Sequence, residues 1–186
     1  MNIKNILFAT ALLVSTTLSA TVEPTIVPAV KSFIVDLNDW ANNEATVYIT
    51  NADGNILVSD KIENQAGRIY NLKNLSDGRY TVSVNNDLKV INTALRIVND
   101  IVIVEDTEVI YKPVITTTDE YIDVNVLTQG ETVLVDITDE NGEVFAREYK
   151  NTTSVNQRYS INDLPAGQYY VSVSKGNINK TMVVEK

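Results

Sequence analysis

The residues able to do chemistry in this chain are almost all carboxylates. The 186 residues include 24 Asp and Glu but no His and no Cys. This excludes Ser-His-Asp triads, thiol nucleophiles and zinc sites built on His or Cys. A pair of carboxylates could hydrolyse glycosides, but that reaction needs a cleft, and the short loops predict little concave surface. We therefore predict no enzyme activity, no catalytic residue and no cofactor.

Two acidic loops, Asn51-Ala-Asp-Gly54 and Asp139-Glu-Asn-Gly142, suggest calcium at first sight. A calcium loop needs oxygen ligands at alternate positions and a distal bidentate Glu, and neither loop completes that pattern. Asn, Asp and Gly tolerate the left-handed backbone of tight turns, so both loops are typical of β-hairpins. We predict two hairpins here and no metal site.

The single Trp is the one candidate ligand contact. Trp40 lies in the polar stretch Asn38-Asp-Trp-Ala-Asn-Asn43, where an exposed ring could stack on a sugar. The alternative is that Trp40 packs against the end of a domain, as lone aromatics beside Leu and Ala usually do.

Charge and the N-terminus narrow the class of protein. The net charge of −9 opposes binding to nucleic acid and to anionic membranes, so no nucleic-acid partner is expected. Residues 1–20 have a polar start, an apolar run and a small-residue end, which is the layout of a secretory signal peptide. The alternative, a membrane anchor, would need about 20 apolar residues. We predict an exported protein without a membrane span after cleavage, located in the periplasm, at the cell surface or outside the cell.

The rest of the chain is a repeat. Leu164-Pro-Ala-Gly-Gln-Tyr-Tyr-Val-Ser-Val173 restates Leu75-Ser-Asp-Gly-Arg-Tyr-Thr-Val-Ser-Val84 at an offset of 89 residues. Val27 to Asn38 aligns with Val114 to Asn125 at an offset of 87. Apolar residues alternate with polar ones in each block, which predicts half-buried strands and almost no helix.

A Gly two residues before the Tyr that opens a strand predicts a tight corner, with a positive φ at Gly167. This corner resembles that of immunoglobulin-like sandwiches, where a Tyr returns its hydroxyl to upstream backbone. The predicted fold is all-β: two tandem immunoglobulin-like β-sandwiches, residues 21–105 and 106–186, after the signal peptide, joined by a short stiff linker between Asn99 and Pro113. The predicted cores contain Val47, Ile49, Leu72, Leu75, Tyr80 and Val82 in the first and Val135, Ile137, Ile161, Leu164, Tyr169 and Val171 in the second.

The second copy carries a family resemblance. The Leu164-Pro-Ala-Gly-Gln-Tyr169 corner and the final strand Thr181-Met-Val-Val-Glu-Lys186 resemble the C-terminal sorting domain of the Bacteroidetes type IX secretion system. The pattern is also similar to small exported Bacteroidetes sandwich proteins of unknown function. The resemblance implies a non-catalytic protein whose last domain is a sorting signal for secretion machinery or cell-surface components. The residues that would form the sorting motif are Leu164, Pro165, Gly167, Tyr169, Val183, Val184 and Lys186.

A second hypothesis stays open. Both copies could remain on the mature molecule as a periplasmic or surface module that binds a glycan or a protein, or that has a structural role. The terminal strand favours the sorting hypothesis, and Trp40 is the residue that would favour glycan binding.

Overall fold

The computed structural model describes residues 9–11, 25–38, 40 and 44–186. These residues form strands and turns and no helix, which confirms the prediction of an all-β chain. The strands are β1 (Ala9–Ala11), β2 (Thr25–Ala29), β3 (Ser32–Asp36), β4 (Ala45–Asn51), β5 (Ile56–Ile62), β6 (Gly67–Asn71), β7 (Gly78–Asn85), β8 (Lys89–Val98), β9 (Ile101–Tyr111), β10 (Val114–Thr117), β11 (Tyr121–Leu127), β12 (Val133–Asp139), β13 (Gly142–Tyr149), β14 (Ser154–Ser160), β15 (Gln168–Lys175) and β16 (Ile178–Glu185).

The chain divides into two compact units. The first unit ends at Ile110, and the second holds Tyr111–Lys186 together with β1. In the first unit, a three-stranded sheet has the order β2-β3-β6 and a five-stranded sheet has the order β5-β4-β7-β8-β9. In the second unit, two four-stranded sheets have the orders β1-β14-β11-β10 and β13-β12-β15-β16.

Each unit has its own hydrophobic core, and both of its sheets contribute residues to it. Alternate residues of β4, such as Val47 and Ile49, are buried because successive side chains of a strand point to opposite faces. Val35 from the three-stranded sheet joins the same cluster. In the second unit, Val135 of one sheet and Val124 of the other lie in a single core cluster. All the core residues predicted from the sequence are buried except Leu75, which is half-buried against the first core.

The repeat is real in the strand pairing, but one of its offsets was wrong. Phe33 faces Tyr70 across β3 and β6, and Ile122 faces Tyr159 across β11 and β14. The two pairs are both related by 89 residues, so the offset of 87 read from the sequence places this strand two residues out. A slip of two keeps every side chain on its own face, so alternation alone cannot detect it.

The predicted hairpins are present. Gly54 has φ 82 and Gly142 has φ 124, as the turns after β4 and β12 require. Asn51 and Asp139 each accept a hydrogen bond from a backbone N–H two residues on, at 3.1 and 2.7 Å. These side chains therefore act as turn residues.

The stretch interpreted as a linker is a strand. β9 runs over Ile101–Tyr111, across the predicted domain boundary at residues 105 and 106, and lies beside β8 at the edge of the five-stranded sheet. Asn99 and Asp100 turn the chain between β8 and β9 with φ of 49° and 66°. Only Lys112 and Pro113 separate β9 from β10.

The predicted signal peptide, residues 1–20, lies outside the described residues apart from β1. Ala9, Thr10 and Ala11 pair antiparallel with Tyr159, Arg158 and Gln157 of β14. Within the described part of the chain, no helix is long and apolar enough to cross a membrane.

Candidate functional site

The candidate site is the corner before β15 together with the strand β16 that follows it. Tyr169 is buried, and its hydroxyl donates to the carbonyl oxygen of Pro165 at 2.8 Å. Tyr80 makes the same bond to Ser76 in the first unit, also at 2.8 Å. Burial raises the pKa of Tyr169, and the nearby negative charge of Asp139 adds to the shift, so the hydroxyl stays protonated and keeps donating.

The prediction for Gly167 was wrong. Gly167 is not among the glycines with positive φ, and a Cβ at this position would meet nothing within 4 Å. The residue instead closes a sheet ladder: its N–H donates to Lys186 O at 3.1 Å, and Lys186 N–H donates back to Gly167 O at 2.9 Å. The corner is therefore fixed by the Tyr169 bond and by the ladder, and it does not require a left-handed glycine.

Strand β16 joins most of the predicted motif to this corner. It pairs antiparallel with β15 in an unbroken register in which Tyr169 faces Val184 and Tyr170 faces Val183. Val184 is buried in the second core, while Val183 on the opposite face is 52% exposed. Gly167, Tyr169, Val184 and Lys186 thus lie at one end of one ladder.

Beside the corner is a surface cavity of about 230 Å³. It lies between the corner and the hairpin that joins β12 to β13. Pro165, Leu164 and Tyr169 line it together with Val144, and Asp139 and Glu143 stand among the lining residues as carboxylates. The sequence motif pointed to one wall of this cavity, and the hairpin wall was not predicted as part of the site.

Trp40 lies away from this site and is only 4% exposed, within the first core. Its indole Nε1 donates to Glu44 O at 3.0 Å, and Lys89 Nζ lies 4.9 Å from the ring centroid. This burial leaves almost no ring surface for a sugar and agrees with the alternative that Trp40 packs in its domain.

The buried Lys175 at the far end of β15 was not predicted from the sequence. Lys175 is 1% exposed, and its Nζ donates to Leu127 O at 3.0 Å and to Gln129 Oε1 at 2.9 Å. Burial lowers its pKa, and the charge of Glu131 partly opposes that shift. The ammonium satisfies backbone and amide oxygens at the end of β11, which is a structural role.

Each unit has an ion pair that involves an Arg of β6 or β14: Arg68 of β6 pairs with Asp60 of β5, on the other sheet of its unit, and Arg158 of β14 pairs with Asp123 of the neighbouring strand β11. Arg68 donates to Asp60 at 2.7 Å, and the Tyr70 hydroxyl donates to the same carboxylate at 2.9 Å. Burial alone would raise the pKa of Asp60, but these hydrogen bonds outweigh it and the pKa lies below its usual value. In the second unit, Arg158 pairs in bidentate fashion with Asp123 at 2.7 Å.

A family model described as "Secretion system C-terminal sorting domain" matches residues 27–99 and again residues 110–185. The chain belongs to this family, and the resemblance to a type IX sorting domain is confirmed. The match covers the first unit as well as the second, whereas the residues singled out in the sequence carried the resemblance in the second copy only. The family is one of sorting domains and not of enzymes, and membership indicates an exported protein.

Other comparisons add little. No curated protein matches the chain. A solved structure titled "Biofilm associated protein - BSP domain" matches with 15% sequence identity and a TM-score of 0.28, covering 88% of this chain. This chain spans only 29% of that one, and a likeness of this size carries no functional argument.

Proposed function

We propose that this is an exported, non-catalytic protein whose second unit is the sorting signal for type IX secretion. In this proposal each unit is an immunoglobulin-like sandwich, and the mature chain begins after residue 20. The observation that carries the proposal is that Gly167, Tyr169, Val184 and Lys186 meet at one end of the β15–β16 ladder. The partner would be the secretion machinery, and the destination would be the cell surface or the medium.

The geometry supports recognition of folded structure. The motif residues are spread over the corner and β16, and they share one end of a ladder only when the sheet has formed. A sheet edge with an ordered end can be recognised by strand addition or by docking. Leu164 is buried beneath the corner, so its role is to hold the exposed Pro165 and the cavity wall in place.

The test is a reporter carried by the second unit. Residues 112–186, which begin after β9, are fused behind a signal peptide and a reporter in a bacterium with type IX secretion. We expect the reporter at the cell surface or in the medium. Removing Thr181 to Lys186 takes away most of β16 and the Gly167–Lys186 hydrogen bonds but leaves Tyr169 and its acceptor Pro165, and it should keep the reporter in the periplasm.

The matched control is the first unit in the same fusion. Residues 21–111 have the same corner and belong to the same family, but they place β9 after β8. We expect this fusion to stay in the periplasm. A reporter that remains periplasmic behind the intact second unit would contradict the proposal.

A second candidate function rests on the family match to both units. If both units remain on the mature molecule, the chain is a tandem binding or structural module for a glycan or protein. Mass spectrometry of the native protein decides between the two: both units intact in the periplasm would favour the module and contradict sorting.

A further inference from the structure

The two units treat one edge of their corner-bearing sheet differently. In the first unit, β9 lies along the outer side of β8, reached by the two-residue turn Asn99-Asp100. Positive φ at both residues is typical of the type I′ turns that join antiparallel strands. In the second unit, β16 is the edge strand, and no other described strand lies on its outer side.

Strands β8 and β16 are equivalent, so the comparison can be made residue by residue. Leu95 faces the corner residue Tyr80, and Val184 faces Tyr169. On β8, Thr93 is 3% exposed and Leu95 is 1% exposed. On β16, the counterpart of Thr93 is Met182, which is only half-buried. The second core is therefore less well covered along the strand that lacks a neighbour.

One cross-strand pair on the outer face beside this open edge is large and apolar, between the polar pairs Gln168–Glu185 and Ser172–Thr181. Tyr170 and Val183 face each other across β15 and β16, and they are 40% and 52% exposed. The equivalent pair in the first unit is Thr81 and Ala94, which are smaller and half-buried. Large apolar side chains at an unprotected sheet edge are unusual because they invite pairing with another strand.

The charges indicate what kind of strand the open edge would accept. In the first unit, Arg79 and Arg96 face each other, and both contact Glu105 of β9, at 3.4 and 2.8 Å. Their counterparts in the second unit are Gln168 and Glu185, which also face each other. A strand like β9 would bring Glu105 against Glu185, two like charges, whereas a basic residue at that position would form a cross-strand ion pair.

We infer that the outer edge of β16 accepts an antiparallel strand from another protein, and that this strand carries a Lys or Arg opposite Glu185. Its neighbouring side chains are apolar and cover Met182 from one face and the Tyr170–Val183 pair from the other. The inference rests on the proposed sorting function and names its partner by chemistry: an extended segment that adds to the sheet, with apolar side chains and one basic residue opposite Glu185. Pairing with β9 of a second copy is disfavoured by the same charges.

Two synthetic peptides test this directly. One has the sequence of β9, Ile101 to Tyr111, and the other has Lys in place of Glu105. Both are titrated by fluorescence anisotropy against the chain lacking residues 1–20. We expect the Lys peptide to bind about fivefold more tightly than the Glu peptide, since one cross-strand charge pair is worth up to about 1 kcal/mol. Glu185→Lys should reverse the preference.

Hydrogen exchange locates the bound peptide. The Lys peptide should slow exchange of the β16 amides that point away from β15 and leave those of β13, the opposite edge strand, unchanged. Absence of binding by both peptides, protection elsewhere, or a preference that Glu185→Lys does not alter would each overturn the inference.

A graft keeps the test independent of peptide affinity. Lys186 is the counterpart of Ile97, because Gly167 and Gly78 are their respective partners. Residues 98–111 with Glu105→Lys are therefore appended after Lys186, so that a cis strand covers β16. We expect a higher melting temperature and loss of reporter export, while a Gly/Ser tail of equal length leaves both unchanged. Export lost with both tails, or with neither, would overturn the inference.

The two proposals fail in different ways. If the unmodified second unit does not export the reporter, the sorting function fails, and the peptide and exchange data still decide whether the edge accepts a strand. If export is normal and the edge binds neither peptide, the function stands and the strand partner is wrong.

Discussion

The first and second units have the same kind of core and corner but differ at one edge of the corner-bearing sheet. Both have a Tyr corner with a 2.8 Å bond to upstream backbone and a core fed by two sheets. They differ at the edge beyond the corner: β9 covers it in the first unit, and β16 is left as the edge in the second. The corner is thus a requirement of the fold, and the edge is the place where the units can differ in function.

A second difference lies beneath the three- and four-stranded sheets. The hydroxyl of Tyr70 donates to Asp60, which also accepts from Arg68. Tyr159 at the equivalent position is fully buried and bonds the hydroxyl of Tyr149 at 2.9 Å. Burial raises the pKa of both tyrosines, so both stay neutral. The Tyr70 hydroxyl is therefore bonded to a carboxylate in an ion pair, whereas the Tyr159 hydroxyl is bonded to another neutral hydroxyl.

Of the variants that test this comparison, Tyr159→Ala should have the largest effect on stability. The ring is 0% exposed and packs against Phe145 at a centroid distance of 5.0 Å, so truncation leaves a cavity. We expect a loss of about 3 to 5 kcal/mol from the second unit, measured by urea denaturation. Tyr70→Ala, at 7% exposure, is the matched variant and should destabilise the first unit instead. A loss below about 1 kcal/mol for Tyr159→Ala would contradict the description of this core.

Asp60→Asn tests whether the carboxylate that accepts from Arg68 and Tyr70 stabilises the first unit. It removes the charge that accepts from Arg68 and Tyr70, and we expect a cost of about 1.5 kcal/mol at pH 7, since the pair is partly solvated. The folded pKa of Asp60 lies below the unfolded value of about 3.9. Its contribution is therefore present above that value and is lost as pH falls through the folded pKa. The gap between wild type and variant should close in acid; a gap independent of pH would exclude the ionised carboxylate as its cause.

Tyr80→Phe and Tyr169→Phe test the feature that the units share. Each removes one hydroxyl bond of 2.8 Å without changing the ring, so each should cost about 1 kcal/mol. Chemical denaturation of the two variants measures the effect, and equal losses are expected. A loss in one unit only would show that the corners are not equivalent.

The smallest expected effect is that of Gly167→Ala, compared with Gly54→Ala. Gly167 has no positive φ and has room for a Cβ, so its replacement should change the melting temperature by less than about 1 °C. Gly54 has φ 82, and Ala there should cost about 1 kcal/mol through backbone strain. If Gly167→Ala proves the more harmful of the two, the corner geometry described here is wrong.

Alternation and turn residues predicted most of this fold from sequence. Period-2 patterns identified the core faces of β4 and β15, and Gly54 and Gly142 marked hairpins, because both signals are local. The corner bond of Tyr169 was predictable for the same reason. These features depend on neighbours in the chain and on one buried face.

The features that the sequence left undecided or did not predict depend on contacts between residues far apart in the chain, or on a strand that occurs in one copy only. Among the strands that the structure describes, β9 has no counterpart in the second unit, so comparison of the copies gave no reason to interpret it as a strand. For Trp40 the sequence left two alternatives, an exposed ring or a packed one, because no periodicity connects it to the residues that bury it. The cavity wall formed by Val144 and Glu143 depends on how a hairpin meets the corner, which is tertiary information.

Strand β9 also bears on how a chain of this kind can lengthen by duplication. In a unit that is followed by another, the chain must continue into the next unit without leaving an exposed sheet edge that could template aggregation. β9 does both in eleven residues: it seals the edge of β8 and carries the backbone to within two residues of β10. Inserting a unit together with its own β9 would therefore extend the array while the edge beyond the corner stays covered in every unit except the last.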